Sequence, residues 1–354
     1  MKPSELPLNA PPQAGPSGRP PLLTSRRTSR TYLYETLTEW FRSGTVLVLA
    51  PWIILGTLVI LYGARQPGVY SFNELNIITG ETLTLILISF GQTLVIVTGG
   101  IDLSTGGLLS LVTSLAALHL GSGGIRMWLV MAALLVGATL AGAINGLLIG
   151  ATRMQPFIVT LATSSIFGGT ALWVLPTTGG TVPDQWVSFG NGVWLGLSTS
   201  VWLLILVLLF WLFFKRTRLW FEIRSVGSSP EAAFLSRVPV VRIIVITYAI
   251  SGLFAALAGL YDITQAVSGS PTVGTDYILT SIIAVVLGGT ALTGGRGGFG
   301  GTISGAFIPT LIGSVIFIYG IDNHWQPLLE GVLLIFAVLL NVFAAYLVRR
   351  RNAA

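Results

Sequence analysis

Long apolar runs separated by short polar segments make up the chain from residue 44 to residue 347. Apolar runs of about 17 to 25 residues are long enough to cross the hydrocarbon core of a bilayer as helices. The pattern therefore predicts an all-α, polytopic integral membrane protein with about ten transmembrane helices. Runs interrupted by glycine are expected to be broken or re-entrant. The predicted spans are 44–62, 75–98, 104–120, 127–150, 156–175, 200–214, 242–264, 277–293, 300–318 and 327–347.

Composition and charge agree with this pattern. The chain is 53% hydrophobic and only 9% charged, whereas soluble domains carry roughly 25% charged residues. If residues 1–43 are placed in the cytoplasm, 17 of the 19 lysines and arginines fall on the cytoplasmic side, because only Arg65 and Arg126 lie outside. The positive-inside rule then predicts that both termini are cytoplasmic. The positive-inside distribution accounts for the net charge of +6, which therefore gives no reason to expect nucleic-acid binding.

Three regions are expected along the chain. Residues 1–43 are rich in proline and arginine, which predicts a disordered cytoplasmic tail. Residues 44–347 form the transmembrane domain, and residues 348–354 form a cytoplasmic C-terminal tail. The chain has no cysteine, and its two histidines, His119 and His324, have no second ligand at metal-binding spacing. No metal site and no enzymatic activity are predicted.

Two glycine-rich segments support a division into two related halves. GGIDLSTGG begins at Gly99, and GGTALTGGR begins at Gly288, so that Gly99 and Gly100 pair with Gly288 and Gly289 at a constant offset of 189. Duplicated glycine-rich breaks are found in transporters that are built from internal repeats. Two interpretations remain open: a true repeat, or a chance similarity between glycine-rich turns.

Asp102 is the one charged side chain between Glu81 and Arg126. An ionised carboxylate in hydrocarbon is costly, so the surrounding break is expected to be buried in protein or to line a polar cavity on a transport pathway. The topology puts Asp102 near the cytoplasmic end of the second span. There it could cap the amides that start the next helix and act as a structural pivot, or it could contact the transported solute.

Polar residues inside the spans form the candidate pathway. Glu81 and Gln92 share one helical face, which leads towards the first glycine-rich break. Hydrogen-bonding groups together with an aromatic ring suit a neutral polyol. The alternative is that the threonines and the asparagine only bridge helices, at roughly 0.6 kcal/mol each. The candidates are Glu81, Gln92, Gly99, Gly100, Asp102, Ser104, Asn145, Phe157, Thr160, Thr163, Gly288 and Gly289.

The basic loop from about 215 to 242 is predicted to contain a short helix. Ser229 is a good N-cap, Pro230 suits the first helical position, and Glu231 favours the positive helix N-terminus. Such a helix could dock into a groove on a cytoplasmic partner, or it could lie on the membrane with its arginines towards lipid phosphates. The candidate docking residues are Ser229, Pro230, Glu231, Ala232, Ala233 and Phe234.

These segments together resemble the permease subunit of bacterial ABC importers of the ribose/xylose/galactose type, which is related to branched-chain amino-acid permeases. The resemblance rests on GQTLVIVTGGIDLSTGGLLSL (91–111), NGLLIGATRMQPFIVTLATSSIFGGTAL (145–172), GSSPEAAFLSRV (227–238) and IIAVVLGGTALTGGRGGFGGTISGA (282–306). It implies import of a small neutral solute of the monosaccharide class through the bacterial inner membrane, with membrane lipid around the chain. It also implies ATP and Mg on cytoplasmic ATPase subunits and none in this chain, a second permease copy or paralogue, and a periplasmic binding protein.

The chain departs from the family pattern at several positions. Ser229 stands where asparagine is usual, Arg237 where glycine is usual, and Ile278 and Thr280 where acidic residues are usual. The alternative function is a stand-alone, ion-coupled secondary transporter or channel, with Asp102, Glu81 and Glu330 as ion or proton sites. The scarcity of charge inside the membrane argues against that alternative.

Overall fold

The computed structural model describes residues 45–121, 123–322 and 324–352, and most of them are helical. The predicted tail at 1–43 lies outside these residues. Besides a short 3-10 turn at Pro67–Tyr70, there are two paired antiparallel strands, β1 (Val193–Trp194) and β2 (Leu197–Ser198). The helices are α1 (Thr45–Arg65), α2 (Phe72–Val97), α3 (Ser104–His119), α4 (Gly124–Thr152), α5 (Pro156–Val174), α6 (Asp184–Gly190), α7 (Thr199–Phe214), α8 (Arg218–Ser228), α9 (Pro230–Leu235), α10 (Val240–Ala266), α11 (Gly274–Leu287), α12 (Phe299–Ile318) and α13 (Trp325–Asn352).

The predominantly helical membrane architecture is confirmed, while the number of spans is not. Within the described residues, five helices are long and apolar enough to cross a membrane, namely α2, α4, α5, α10 and α12. A sixth span results if α7 and α8, which are bent by 75° at their junction, are counted together. The other apolar stretches among the residues described in full are shorter, namely Pro51–Arg65, Gly274–Leu287 and Trp325–Leu339, so ten spans stays a prediction. Helix α13 continues to Asn352, so part of the predicted C-terminal tail is helical.

Helix α2 lies at the centre of the molecule, with nearly every residue from Thr79 to Val97 buried. Buried apolar side chains occur on every side of it, which is typical of a helix that other helices surround. The Phe90 ring stacks on Phe254 of α10 at 4.2 Å between centroids and meets the edge of Phe299 of α12 at 4.6 Å. Helices α10 and α12 therefore pack directly against α2.

Glycines let α4 and α10 approach closely. A methyl group at Gly142 would overlap the carbonyl oxygen of Tyr248, and one at Gly252 would overlap that of Ala138. Small residues at such contacts are characteristic of helix packing in membranes, where close backbone approach replaces the hydrophobic effect as the driving force. This contact fixes α10 beside α4.

Helices α2 and α11 each end in a turn of the same type. Gly99 N donates to Ile96 O and Gly100 N to Val95 O, while Gly289 N donates to Val286 O and Thr290 N to Val285 O. Gly99 and Gly289 both have positive φ, 86° and 82°. This is the Schellman arrangement, in which glycine is favoured at the left-handed position.

The two turns correspond at an offset of 190, so the predicted pairing at 189 is wrong by one residue. The geometry matches even though the sequence similarity is weak, which favours the repeat over chance similarity. The predicted span at 277–293 is also wrong at its end, because α11 stops at Leu287, before the glycine pair.

Candidate functional site

Asp102 lies buried in the break between α2 and α3 and is held by donors from two helices. Ser104 donates to Asp102 Oδ1 through its backbone N at 3.0 Å and through its hydroxyl at 2.5 Å. Ser251 Oγ of α10 donates to Asp102 Oδ2 at 2.8 Å. The carboxylate therefore accepts the first amide of α3 and joins that helix to α10.

The same network reaches α4. Asn145 Nδ2 donates to Ser104 Oγ at 2.9 Å. Asn145 Oδ1 and the Tyr248 hydroxyl are buried without a hydrogen-bond partner among the described residues. Buried polar atoms without a partner are rare because each costs about 1–3 kcal/mol, so these two atoms are candidates for binding water or solute. Tyr248 belongs to α10, and no sequence pattern around it indicates that it is a site residue.

Helix α5 contributes one of its three predicted residues to this region. Thr160 Oγ1 lies 3.2 Å from the carbonyl oxygen of Ile101, inside the break. Thr163 instead donates to Val159 O of its own helix at 3.1 Å, and the Phe157 ring is exposed on the outer surface. The structure therefore does not bring Phe157 to the other candidates, because its side of α5 faces away from the helix bundle.

The two polar candidates on α2 have different surroundings. Gln92 is buried, and both of its amide atoms lack a hydrogen-bond partner among the described residues, as does Ser89 Oγ one turn earlier. Glu81 is exposed at the other half of the helix. The shared helical face thus runs from an exposed carboxylate to a buried amide with unused hydrogen-bonding capacity.

A second polar cluster, which the sequence pattern did not indicate, lies further along α10. Asp262 follows Ser251 by eleven residues, about 16 Å along the helix axis. Tyr277 of α11 lies with its hydroxyl 3.4 Å from Asp262 Oδ1, and the Tyr261 hydroxyl donates to Gly80 O of α2 at 3.2 Å. The sequence signal for this cluster is that the carboxylate of Asp262 lies within the predicted span 242–264.

Glu330 of α13 lies beside the same end of α11. Its Oε2 atom accepts from Thr280 Oγ1 at 3.3 Å, and its Oε1 atom accepts from Gln326 Nε2 at 2.9 Å. Thr280 is one of the positions where the sequence lacks the acidic residue of the family pattern. A carboxylate from another helix therefore lies next to that position.

The two glycine-rich breaks meet at the end of α8. Gly295 N, in the segment after α11, donates to Val97 O, the last residue of α2, at 2.9 Å. Gly227 of α8 lies against both: a methyl group there would overlap Val97 O and would come within 2.7 Å of Gly295 N. Three backbone segments are thus in direct contact, and glycine is what permits it.

Helix α9 follows this contact immediately. Ser229 Oγ accepts from Ala232 N at 3.2 Å, so Ser229 is the N-cap that the sequence predicts, with Pro230 at the first helical position. Ala233 is buried against the bundle, while Phe234 is 71% and Leu235 is 82% exposed. The helix therefore presents two large apolar side chains at the surface.

The described residues contain no group of three or more histidine, aspartate or glutamate side chains that could hold a metal ion. The carboxylate of Asp102 accepts hydrogen bonds from serines of α3 and α10, and the carboxylates of Asp262 and Glu330 lie on α10 and α13. The arrangement orders a broken helix and leaves buried polar atoms available for hydrogen bonding, and the part of the chain that the structure describes shows no recognisable catalytic constellation.

Comparisons with known proteins give a consistent result. The ribose import permease protein RbsC of Escherichia coli strain K12 is 35% identical over 297 residues, which is 82% of this chain and 92% of that protein. RbsC of Bacillus subtilis strain 168 is 35% identical over 303 residues, 84% of this chain and 94% of that protein. The autoinducer 2 import system permease protein LsrD of Photorhabdus temperata is 31% identical over 297 residues, 81% and 88% of the two chains. No solved structure matches the chain significantly.

The family model described as the permease component of the branched-chain amino acid transport system matches residues 75–338. The proteins matched are transporter subunits and not enzymes, as the sequence predicts. Because the matched range covers most of the membrane domain, this chain belongs to the family of branched-chain amino acid transport system permease components.

Proposed function

We propose that this chain is the membrane-spanning permease subunit of an ABC importer and that it translocates ribose or a closely related neutral sugar. Cytoplasmic ATPase subunits bind and hydrolyse ATP with Mg, and an external binding protein delivers the sugar. A second permease copy or a paralogue completes the translocation unit. This chain supplies the path for the sugar and the surface that receives the movement of the ATPase.

One observation carries this proposal: Gly227 of α8 contacts the end of α2 at Val97 and the second break at Gly295. Helix α9, with Phe234 and Leu235 exposed, begins directly after α8. A displacement of α9 is therefore passed to both breaks without a flexible linker between them. A helix whose only role was to lie on lipid would not need backbone contacts with the two breaks.

The polar residues suit a neutral solute. Gln92, Asn145 Oδ1 and the Tyr248 hydroxyl retain unused hydrogen-bonding capacity in buried positions. Tyr261 and Tyr277 supply aromatic rings near Asp262 at the other end of α10. Hydroxyl groups of a sugar need donors and acceptors, and its ring faces need apolar contact. Relatives that import ribose point to the same class of solute.

The family places the chain in the inner membrane as a multi-pass protein. Cytoplasmic termini are part of the proposal and rest on the distribution of lysine and arginine. Under this orientation α8, α9 and Arg296 face the cytoplasm, and Asp262 and the β1–β2 hairpin lie towards the outside.

The proposal is tested by ribose uptake into proteoliposomes that contain the permease, its ATPase and its binding protein. We expect ribose to accumulate only when ATP is present. Phe234→Ala should abolish the stimulation of ATPase activity by sugar-loaded binding protein, because it removes the exposed ring of α9. Phe317→Ala is the matched control, since that ring is similarly exposed, at 77%, on α12. Equal loss in both variants would contradict the coupling role of α9.

A stand-alone transporter driven by an ion gradient would give a different result. Uptake of ribose by the permease alone, driven by a proton or sodium gradient without ATPase and binding protein, would overturn the proposal. The donors around Asp102 argue against that alternative, because both carboxylate oxygens already accept hydrogen bonds from serines.

A further inference from the structure

An exposed apolar hairpin precedes α7. Strands β1 and β2 pair Trp194 with Leu197, which leaves Leu195 and Gly196 as a two-residue loop. The side chain of Leu195 is 94% exposed, and those of Val193 and Trp194 are 65% and 63% exposed. Exposure of such a group of large apolar side chains to water is energetically unfavourable, so another surface is expected to cover them.

The backbone of this loop makes the leucine unusual. Leu195 has φ 53° and Gly196 has φ 82°. Two-residue hairpin loops with positive φ at both positions favour asparagine, aspartate or glycine at the first position. Leucine there is strained, because its Cβ approaches the following carbonyl oxygen. A strained residue that is also almost fully exposed gains nothing inside the protein, so its benefit has to come from a contact outside it.

The tip continues the apolar surface of α7. Trp202 Nε1, in the first turns of α7, donates to Trp194 O at 3.0 Å and fixes the hairpin beside the helix. The exposed side chains Trp202, Leu206, Leu209 and Phe213 then recur three to four residues apart along one side of α7. An exposed apolar stripe of this kind is typical of the lipid-facing side of a membrane helix, and the hairpin extends it beyond the N-terminus of α7.

The absence of charged residues around the hairpin indicates whether lipid or a soluble partner covers it. No charged residue occurs between Asp184 and Lys215. Docking surfaces for reversible, soluble partners have polar rims, whereas tryptophan beside aliphatic residues at the start of a span is typical of the membrane–water interface. We propose that the Val193–Leu195 tip inserts into the interfacial region of the bilayer and anchors the segment before α7 in the lipid surface.

This anchor has a structural consequence. The segment just before the hairpin is attached to the end of α10: Asn191 Nδ2 donates to Thr264 O at 2.8 Å, and Trp186 Nε1 donates to Leu260 O at 2.9 Å. The lipid surface thereby becomes a fixed reference for the end of α10 that carries Asp262. The inference does not depend on the identity of the transported solute.

Because the chain has no cysteine, single-cysteine reporters test the anchor directly. Leu195→Cys and Val193→Cys are each labelled with an environment-sensitive fluorophore in the full-length permease, reconstituted in vesicles of phosphatidylethanolamine and phosphatidylglycerol. We expect blue-shifted emission, quenching by lipids that carry a spin label near the headgroup, and protection from aqueous iodide. Val193→Cys has no positive φ to preserve, so it gives an answer even if the loop changes at residue 195.

Thr178→Cys is the matched control, because Thr178 is exposed and polar in the segment between α5 and α7. Its label should be quenched by iodide and not by the lipid quencher. The proposal is overturned if the labels at 193 and 195 behave like the label at 178. It is also overturned if protection appears only when the binding protein is added, or only as the permease density rises. Those two results would assign the hairpin to a soluble partner or to a second copy of this chain.

Discussion

Among single residues, Asp102 shows how a charge is kept inside a membrane protein. The carboxylate accepts three hydrogen bonds, from Ser104 and Ser251, and caps the start of α3. An anion at a helix N-terminus is further stabilised by the helix dipole. We therefore propose that Asp102 acts as a pivot that holds a broken helix rather than as a residue that contacts the solute.

Removing the donor on α10 tests this explanation. We expect Ser251→Ala to destabilise the permease by about 1–3 kcal/mol, because it leaves Asp102 Oδ2 buried without that donor. The measurement is the midpoint of thermal unfolding of the reconstituted protein. Ser165→Ala is the control, since Ser165 is exposed and donates only to Leu161 O of its own helix. An unchanged midpoint for Ser251→Ala would show that the carboxylate does not depend on α10.

Arg237 is a second residue whose role can be tested, because its backbone conformation is strained. It has φ 62° and follows α9, with Arg237 N donating to Phe234 O and Val238 N to Ala233 O. This is a Schellman turn, which favours glycine at the left-handed position. We expect Arg237→Gly to stabilise α9 by roughly 1 kcal/mol, seen as slower amide exchange over 230–235. Arg216→Gly should lack this benefit, because Arg216 is an exposed arginine without positive φ.

At the scale of elements, the sequence predicted α9 and missed α8. The cap at Ser229, the proline and the glutamate are local signals, and they placed the short helix correctly. Trp220, Ile223 and Val226 of α8 recur every three residues and are buried, so this helix has an apolar side within a loop that is otherwise rich in arginine. The spacing after Thr217, the N-cap of α8, was the signal that could have found this helix.

The network around Asp102 was predictable only on the side of α3. Ser104 is two residues away, and its role follows from local helix-capping rules. Ser251 is 149 residues away, and no periodicity links it to Asp102. The second glycine-rich break was found from its sequence, but its register needed the backbone hydrogen bonds of the turn. Local features such as helix caps can be predicted from a single sequence, whereas contacts between helices that are distant in the sequence cannot.

The contact between α8 and the two breaks gives a prediction for coupling. Gly227→Ala places a methyl group on Val97 O, so the end of α2, the second break or α8 has to move. We expect ribose uptake to fall at least tenfold while the ATPase still hydrolyses ATP, because the breaks lose their fixed relation to α9. The assay is uptake and ATP hydrolysis in the same proteoliposomes.

Gly168→Ala is the control for this variant, because Gly168 lies within α5 and has nothing within 4 Å of an added methyl group. Alanine there should leave uptake unchanged and should favour the helix slightly, by about 0.5–1 kcal/mol. Normal uptake with Gly227→Ala would show that α9 communicates with the breaks by another route.

For the whole molecule, orientation links the sequence to the transport proposal. The excess of lysine and arginine at the α8–α9 end predicts that this end is cytoplasmic, where the ATPase would bind. The proposed orientation requires one membrane crossing between the segment before α7 and α9, along α7. It therefore predicts that these two ends lie on opposite sides of the membrane, which a single pair of variants can test.

Thr178→Cys and Ser236→Cys form that pair, since both residues are exposed and the chain has no other cysteine. A maleimide that cannot cross membranes is added to intact cells after the outer membrane has been made permeable. We expect Thr178→Cys to react at once and Ser236→Cys to react only after the inner membrane is opened. The reverse pattern would place α9 outside, where no ATPase could reach it, and would contradict the proposed coupling even if the fold is correct. Equal reaction of both sites in intact cells would mean that α7 does not cross the membrane, which would remove the lipid anchor and the proposed orientation together.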